Sequence, residues 1–170
     1  MFKKIKVFLI LLIFSFSVIS CSKPSFNTIS SSLKISKPSL DYYTKYLKHS
    51  ISKKNNTTHL SILYTKTGKN KSIPVKDIDK FTTFLNSLKP SHFLNTNQKT
   101  LEVKDPEYRL TVFINSNPAF IINIFNYKYI NIHPWDGIYN PDFIDISSLQ
   151  TRTNIYNIVD FIIKNNIDTK

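Results

Sequence analysis

The chain is poor in the residues from which several common functional sites are built. Its 170 residues include one cysteine and two glycines. One cysteine excludes an internal disulfide and a multi-cysteine zinc site. Two glycines exclude the glycine-rich loop that cradles phosphates and the dinucleotide-binding fingerprint. The sequence has no His-Glu-x-x-His pair and no Gly-x-Ser-x-Gly elbow. No cofactor is expected, and the scattered histidines predict no metal site.

Acidic residues are the other scarce group, with 11 Asp and Glu against 23 Lys and Arg and a formal net charge of +12. Residues 21–57 contain seven lysines and one acid, whereas residues 58–170 contain 13 basic and 10 acidic residues. This distribution argues against nucleic acid as a partner, because such proteins carry a basic face on the folded body. The lysines of residues 21–57 predict attraction to an anionic bilayer, or they simply keep a tether solvated.

Residues 1–20 have the parts of a secretory signal peptide. Lys3, Lys4 and Lys6 precede an apolar run from Val7 to Val18. This run is shorter than the ~20 residues that a membrane-spanning helix needs. We therefore expect a leader that is removed from the mature protein.

The leader ends in Val18-Ile19-Ser20-Cys21, which resembles the cleavage and lipidation box of bacterial lipoproteins. The resemblance implies that the Cys21 sulfur receives a diacylglyceryl group and that a peptidase cuts after Ser20. Acyl chains such as palmitate would then hold the protein at the extracytoplasmic face of the cell membrane, since two chains anchor stably where one does not. The alternatives are a secreted protein with a chance cysteine and an uncleaved membrane helix.

The mature chain predicts a flexible lysine-rich tether over residues 21–37 and a single domain over residues 38–170. Runs of strands followed by helices predict an α+β fold. We expect a mainly antiparallel sheet of about five strands, with helices packed on one face.

Three helices are predicted from apolar residues at helical spacing. The first has Ser39 as its N-cap and Asp41 in its first turn. The second begins after Asp77 and ends before Pro90. The third carries its apolar stripe from Ile155 to Ile162.

Strands are predicted where apolar and polar residues alternate, around residues 60–65, 73–75, 108–114, 120–125 and 130–132. Both faces of the run from Phe120 to Phe125 are apolar, which indicates a central strand. Pro74 indicates a sheet edge or a strand end. A further short strand is predicted from Leu101 to Lys104, and the chain from Gly137 through Asp145 is predicted to be a loop.

The stretch from His133 to Asp145 is the most unusual in composition. It combines the only tryptophan, a proline, an Asp-Gly turn and a tyrosine. Trp and Tyr supply flat apolar area at low entropic cost, which suits binding. We expect a contact surface for an envelope protein or polymer, made by His133, Trp135, Asp136 and Tyr139.

Two other interpretations of this stretch remain open. In the first, it is purely structural, with Trp135 plugging the end of the core. In the second, its acids carry chemistry: Asp136, Asp142 and Asp145 are candidate paired carboxylates or calcium ligands. His133 with Asp136 and Asp142 would then serve an envelope-acting hydrolase.

Four features carry a further resemblance: the lipidation box, the lysine-rich tether, the helix ending in Leu88-Lys89-Pro90, and the strand from Tyr129 that runs into Pro134-Trp135-Asp136-Gly137. Together they look like small clostridial lipoproteins of unknown function. The resemblance implies a Gram-positive host and no specific activity. Our main hypothesis is a non-catalytic binding or accessory module of the cell envelope. A hydrolase and an immunity or inhibitor lipoprotein are the alternatives.

Overall fold

The computed structural model describes residues 37–73, 77–98 and 100–164. The chain separates into two units, residues 1–35 and 36–170, and every described residue belongs to the second. The predicted signal peptide, Cys21 and residues 21–36 of the tether lie outside the described residues. Within the described ranges, no helix is long and apolar enough to cross a bilayer.

The described part of the chain contains three α-helices, one 3₁₀ helix and seven β-strands. In chain order they are α1 (Tyr42–Ser52), β1 (Thr58–Tyr64), β2 (Lys69–Ile73), α2 (Ile78–Ser87), a 3₁₀ helix (Pro90–His92), β3 (Phe93–Leu94), β4 (Tyr108–Ile114), β5 (Asn117–Ile124), β6 (Tyr129–Pro134), β7 (Asp142–Asp145) and α3 (Ile155–Lys164).

The seven strands form one antiparallel sheet in the order β2-β1-β4-β5-β6-β7-β3. The fold is therefore α+β, as predicted, with two more strands than expected. Strand β5 is the middle strand, which confirms its predicted central position. Phe120 and Ile122 on one of its faces and Ile121 on the other are all buried. Strand β2 lies at one edge; Pro74 and Val75, which follow it, are not among the described residues.

One face of the sheet forms the core. Cross-strand register aligns Ile62, Leu110, Ile122 and Ile132 in one row, and all four are fully buried. Side chains directly opposite one another on neighbouring strands share a face. Burial of such side chains, at about 25 cal/mol per Å² of apolar surface, is the main stabilising contribution.

The three helices cover this same face. The ring of Tyr46 in α1 packs 5.4 Å from that of Phe120 in β5. The Tyr108 hydroxyl of β4 donates to Asp160 of α3 at 2.7 Å. Helix α2 packs against both α1 and α3. The predicted placement of the helices on one face is therefore correct.

The opposite face is more polar and less covered. Arg109 on this face is exposed, and its Nε donates to the Asn123 amide oxygen at 3.2 Å. His59 and Phe113 stack with their ring centroids 4.4 Å apart. Along β1 and β4 one face is packed and the other is solvated, so apolar and polar residues alternate there. On β5, β6 and β7 the opposite face also carries the buried residues Ile121, Asn131 and Phe143.

Two strands were missed because their sequences carry weak strand signals. Strand β7 is only four residues long and has an aspartate at each end, so it was predicted as part of a loop. Strand β3 has two residues and pairs with β7 through Phe93↔Ile144 and Leu94↔Phe143. Neither segment is long enough to show period-two alternation.

Two local predictions were also wrong. Residues 101–104 form no strand, and Glu102 has a φ of 54°, which is left-handed backbone. Helix α1 begins at Tyr42 with Asp41, not Ser39, at its N-cap. The turn between β4 and β5 is the pair Asn115-Ser116, both at positive φ, so Pro118 lies within β5.

Candidate binding groove

A groove runs between α1 and the turn that follows β6. It consists of two adjoining depressions of about 430 Å³ and about 220 Å³, which share Tyr46, Pro134 and Asp136. We call this surface the aromatic groove; its main walls are Tyr42, Tyr43 and Tyr46 of α1 and residues 134–139. The larger depression extends to the β4–β5 hairpin and to Lys53.

The aromatic groove gathers most of the exposed apolar side chains. Seven large apolar side chains are exposed in the described ranges, and four of them line the groove: Tyr42 (36 % exposed), Tyr46 (53 %), Trp135 (61 %) and Ile138 (86 %). A fifth exposed apolar side chain, Leu40, lies two residues before Tyr42 in the sequence. Single exposed apolar residues are ordinary, but a contiguous group marks an interaction site.

The turn from Pro134 to Tyr139 is held against α1 by part-buried hydrogen bonds to Tyr43. The Tyr139 amide donates to the Tyr43 hydroxyl at 2.7 Å, and that hydroxyl donates to the Tyr139 carbonyl at 3.4 Å. A Cβ on Gly137 would meet the Pro134 ring at 3.0 Å and the Tyr43 hydroxyl at 3.1 Å. A larger residue at position 137 would therefore force the Pro134 ring or the Tyr43 hydroxyl to shift by a few tenths of an ångström.

The position of Trp135 follows from an irregularity in the sheet. The β4–β5 register shifts between Val112 and Phe113, which leaves Ala119 as an extra residue in β5. The Ala119 carbonyl accepts the Trp135 amide at 3.0 Å. Such bulges redirect side chains next to functional sites. Here the bulge fixes the backbone from which the indole projects.

The start of α1 is fixed by Asp142 of β7. One Asp142 carboxylate oxygen accepts the Thr44 amide at 2.7 Å and the Thr44 hydroxyl at 2.8 Å. Thr44 lies in the first turn of α1, where amides have no partner within the helix. The side chain of Asp41 makes no such bond, so the cap is supplied by a residue 98 positions later in the chain.

The other Asp142 oxygen binds Lys37. The Lys37 ammonium lies 2.9 Å from it and also donates to the carbonyls of Pro141 and Leu40 at 3.1 and 3.3 Å. Asp142 is fully buried. Lys37, the last residue of the predicted tether, is thus bonded to the folded domain.

Burial and charge pairs shift three pKa values around α1. Burial raises the pKa of Tyr43. Burial also lowers the pKa of Lys48, because it disfavours the ammonium form. Burial of Asp41 acts to raise its pKa, but hydrogen bonds from Ser39 and Lys45 outweigh it and lower the pKa.

Comparison with known proteins identifies the family. Residues 37–159 match a family described as a domain of unknown function, DUF4883, which is well over half of the chain. The chain belongs to the DUF4883 family. The matched region contains the whole aromatic groove. No curated protein is significantly similar to the chain.

A solved structure shares the fold of this DUF4883 domain. It is described as "Putative Lipoprotein from Clostridium perfringens", with a TM-score of 0.65 and 23 % sequence identity. The alignment covers 75 % of this chain and 98 % of that chain. At this identity the likeness establishes the fold alone.

The DUF4883 domain brings three of the four predicted contact residues together. Trp135 and Asp136 line the larger depression, and Asp136 and Tyr139 line the smaller one. His133 lines neither; its ring lies on the opposite face of the sheet, with Nε2 3.4 Å from the Asn123 amide nitrogen. The alternative in which Trp135 plugs the core is wrong, since this side chain is 61 % exposed.

The acids of the predicted catalytic or calcium group are dispersed. Asp142 pairs across the sheet with Ile132 and therefore shares the core face with it, whereas the adjacent His133 points to the other face. Asp136 is exposed, and Asp145 accepts hydrogen bonds from Ser147. Among the described residues, no three His, Cys, Asp or Glu side chains are grouped to hold a metal ion.

Sequence reasoning missed the half of the groove that α1 supplies. None of Tyr42, Tyr43 and Tyr46 was predicted to line a site. Tyr43 is buried, whereas Tyr42 and Tyr46 are exposed. Large aromatic residues outside the buried stripe of an amphipathic helix were the available signal.

Proposed function

We propose that this protein is a lipid-anchored, extracytoplasmic lipoprotein whose DUF4883 domain is a non-catalytic binding module of the cell envelope. The aromatic groove is its binding surface. The single observation that carries the proposal is the concentration of exposed aromatic and apolar side chains on a preformed groove. Aromatic anchors presented on a rigid frame bind with little loss of conformational entropy.

The anchor rests on the sequence. The Val18–Cys21 box supports lipidation of Cys21, and the description of the Clostridium perfringens structure as a lipoprotein is consistent with it. Cys21→Ala tests this part. We expect lipid attached to Cys21 by mass spectrometry and loss of membrane retention in the variant. Full retention of the variant with no lipid on the wild-type protein would contradict the anchor.

The binding role is tested by photo-crosslinking in intact cells. A photoreactive phenylalanine analogue is placed at position 135 in one variant and at position 161 in another. Phe161 is a matched control, because it is 62 % exposed and lies on α3, away from the groove. We expect one envelope component to be captured from position 135 and not from position 161. Equal capture, or none, would refute the groove as the binding surface.

A further inference from the structure

We propose that the aromatic groove docks on the surface of an anionic lipid bilayer, so that the domain lies on the membrane with α1 and residues 135–139 facing it. The inference rests on the proposed function above and names its partner. It makes the bilayer the ligand of the groove as well as the host of the lipid anchor.

The first argument is the chemistry of the exposed tip. Ile138 is 86 % exposed and Trp135 61 % exposed on a turn that Tyr43 holds rigid. Exposed isoleucine in water is unfavourable, whereas its insertion among acyl chains is favourable. Trp and Tyr rings favour the boundary between lipid headgroups and acyl chains, where one end is apolar and the other wet.

The second argument is charge. Residues 37–57 contain five lysines and one acid, Asp41, and Lys37 is already paired with the buried Asp142. Lys45 is paired with Asp41 at 3.0 Å, but Lys53 lines the groove and Lys54 follows it, both exposed. Each basic residue close to an anionic surface increases partitioning roughly fivefold. Asp136, the acidic residue that lines the groove, opposes this attraction, but the two exposed lysines Lys53 and Lys54 outnumber it.

The third argument is the place where the chain enters the domain. Lys37 binds Asp142 and the carbonyl of Leu40, at the start of the groove helix. Lys37 follows Cys21 by only 16 positions, a span of at most about 55 Å in any conformation. A lipid on Cys21 would hold the groove surface close to the bilayer at high effective concentration, so weak docking suffices.

The sole tryptophan makes the test direct. The mature lipidated protein is reconstituted in vesicles containing phosphatidylglycerol and brominated phosphatidylcholine. We expect a blue shift and strong quenching of Trp135 emission by bromine placed near the headgroups. Ile138→Ser and the pair Lys53→Glu with Lys54→Glu should each reduce quenching several-fold, and added salt should do the same.

The control moves the reporter. In the double variant Trp135→Phe with Phe161→Trp, the indole sits on α3, and the bromolipid should leave its emission unchanged. Equal quenching at the two positions would show contact without orientation and would overturn the proposal. An envelope protein or polymer captured from position 135, with Trp135 unquenched, would also overturn it.

Failure of the anchor and failure of docking give different results. Anchored protein with unquenched Trp135 overturns docking and leaves the anchor intact. If Cys21 carries no lipid, the anchor is refuted, and the unlipidated mature chain is then mixed with the same vesicles. Quenching of Trp135 in that mixture supports docking, and its absence refutes it.

Discussion

Two tyrosine clusters in this domain use the same side chain in opposite ways. In the closed cluster, the rings of Tyr64 and Tyr156 lie 5.2 and 5.7 Å from that of Tyr108, and Tyr108 is 2 % exposed. In the open cluster, the rings of Tyr42, Tyr43 and Tyr139 lie 5.3 to 6.2 Å apart, and neighbouring Tyr46 is 53 % exposed.

The hydroxyl partners explain the difference. In the closed cluster, Tyr108 donates to Asp160 at 2.7 Å and Tyr156 donates to Glu107 at 3.2 Å, so side chains of β4 and α3 are tied together. In the open cluster, the Tyr43 hydroxyl accepts a hydrogen bond from the Tyr139 backbone amide. The rings of Tyr42 and the neighbouring Tyr46 remain exposed. The closed cluster therefore ties a strand to a helix, whereas the open cluster leaves aromatic surface exposed at the groove.

The largest expected effect comes from removing the support beneath the open cluster. Asp142→Ala leaves Lys37 and two donors of Thr44 without their buried partner, and we expect a loss of about 4 kcal/mol in the free energy of unfolding. Urea denaturation measures it. Asp145→Ala, on the same strand, is the control and should cost less than about 1 kcal/mol. Similar losses in the two variants would contradict the capping role of Asp142.

The next effect tests the rigidity of the groove wall. Gly137→Ala places a methyl group 3.0 Å from the Pro134 ring, and we expect it to cost about 2 kcal/mol. It should also speed hydrogen exchange at the Tyr139 amide. Gly68→Ala is the comparison: nothing lies within 4 Å of the added Cβ, and its φ of +72° alone should cost about 1 kcal/mol. If hydrogen exchange at the Tyr139 amide were unchanged in Gly137→Ala, the groove wall would be deformable rather than rigid.

A smaller effect separates the clusters by their hydroxyls. Tyr108→Phe removes the bond to Asp160 and should lower the free energy of unfolding by about 1 kcal/mol. Tyr46→Phe, beside the open cluster, should change the free energy of unfolding by less than about 0.5 kcal/mol. Thermal or urea unfolding of both variants gives the comparison, and a reversed order would contradict it.

Alkaline pH should act on the closed cluster. Burial and the nearby Glu107 carboxylate raise the pKa of Tyr156 to about 12, and burial with the bond to Asp160 also raises the pKa of Tyr108. A pKa raised on folding adds stability that is complete below the unfolded value near 10 and is lost as the pH rises toward about 12. Unfolding followed across this range should show that loss, and Tyr156→Phe should reduce it. A flat profile would contradict the shift.

The smallest expected effect is at Trp135, an exposed ring of the groove. Trp135→Ala should change the free energy of unfolding by less than about 0.5 kcal/mol, because the indole is 61 % exposed. Chemical denaturation followed by circular dichroism measures this without the lost fluorophore. A loss of more than about 2 kcal/mol in the free energy of unfolding would show that Trp135 packs in the core. The contrast between a packed cluster and an exposed groove would then be wrong.

Local periodicity predicted much of the fold, and short or distant features escaped it. The three helices and the central strand β5 were predicted because their apolar residues repeat over many positions. Strands β3 and β7 are too short to repeat. A strand was wrongly predicted at residues 101–104, because nothing in the local sequence indicates the positive φ of Glu102.

One wall of the candidate groove could be predicted from the local sequence, and the other could not. Trp135, Asp136 and Tyr139 stand out in composition, so one wall of the groove was found from sequence. The opposite wall depends on Asp142 capping a helix 98 residues earlier and on Tyr43 holding the backbone of Tyr139. No local pattern reports such distant pairing, so whether Trp135 was buried or exposed could not be derived.

The two edges of the sheet have a consequence for a protein crowded among copies of itself. An uncovered strand edge can pair with the edge of a neighbouring molecule and start aggregation. Strand β2 carries Lys69 and Lys71 along one edge, and β3 offers only two residues at the other. Charge repulsion on one side and shortness on the other leave a neighbouring copy little backbone to join. Both features disfavour extension of the sheet into a neighbouring copy.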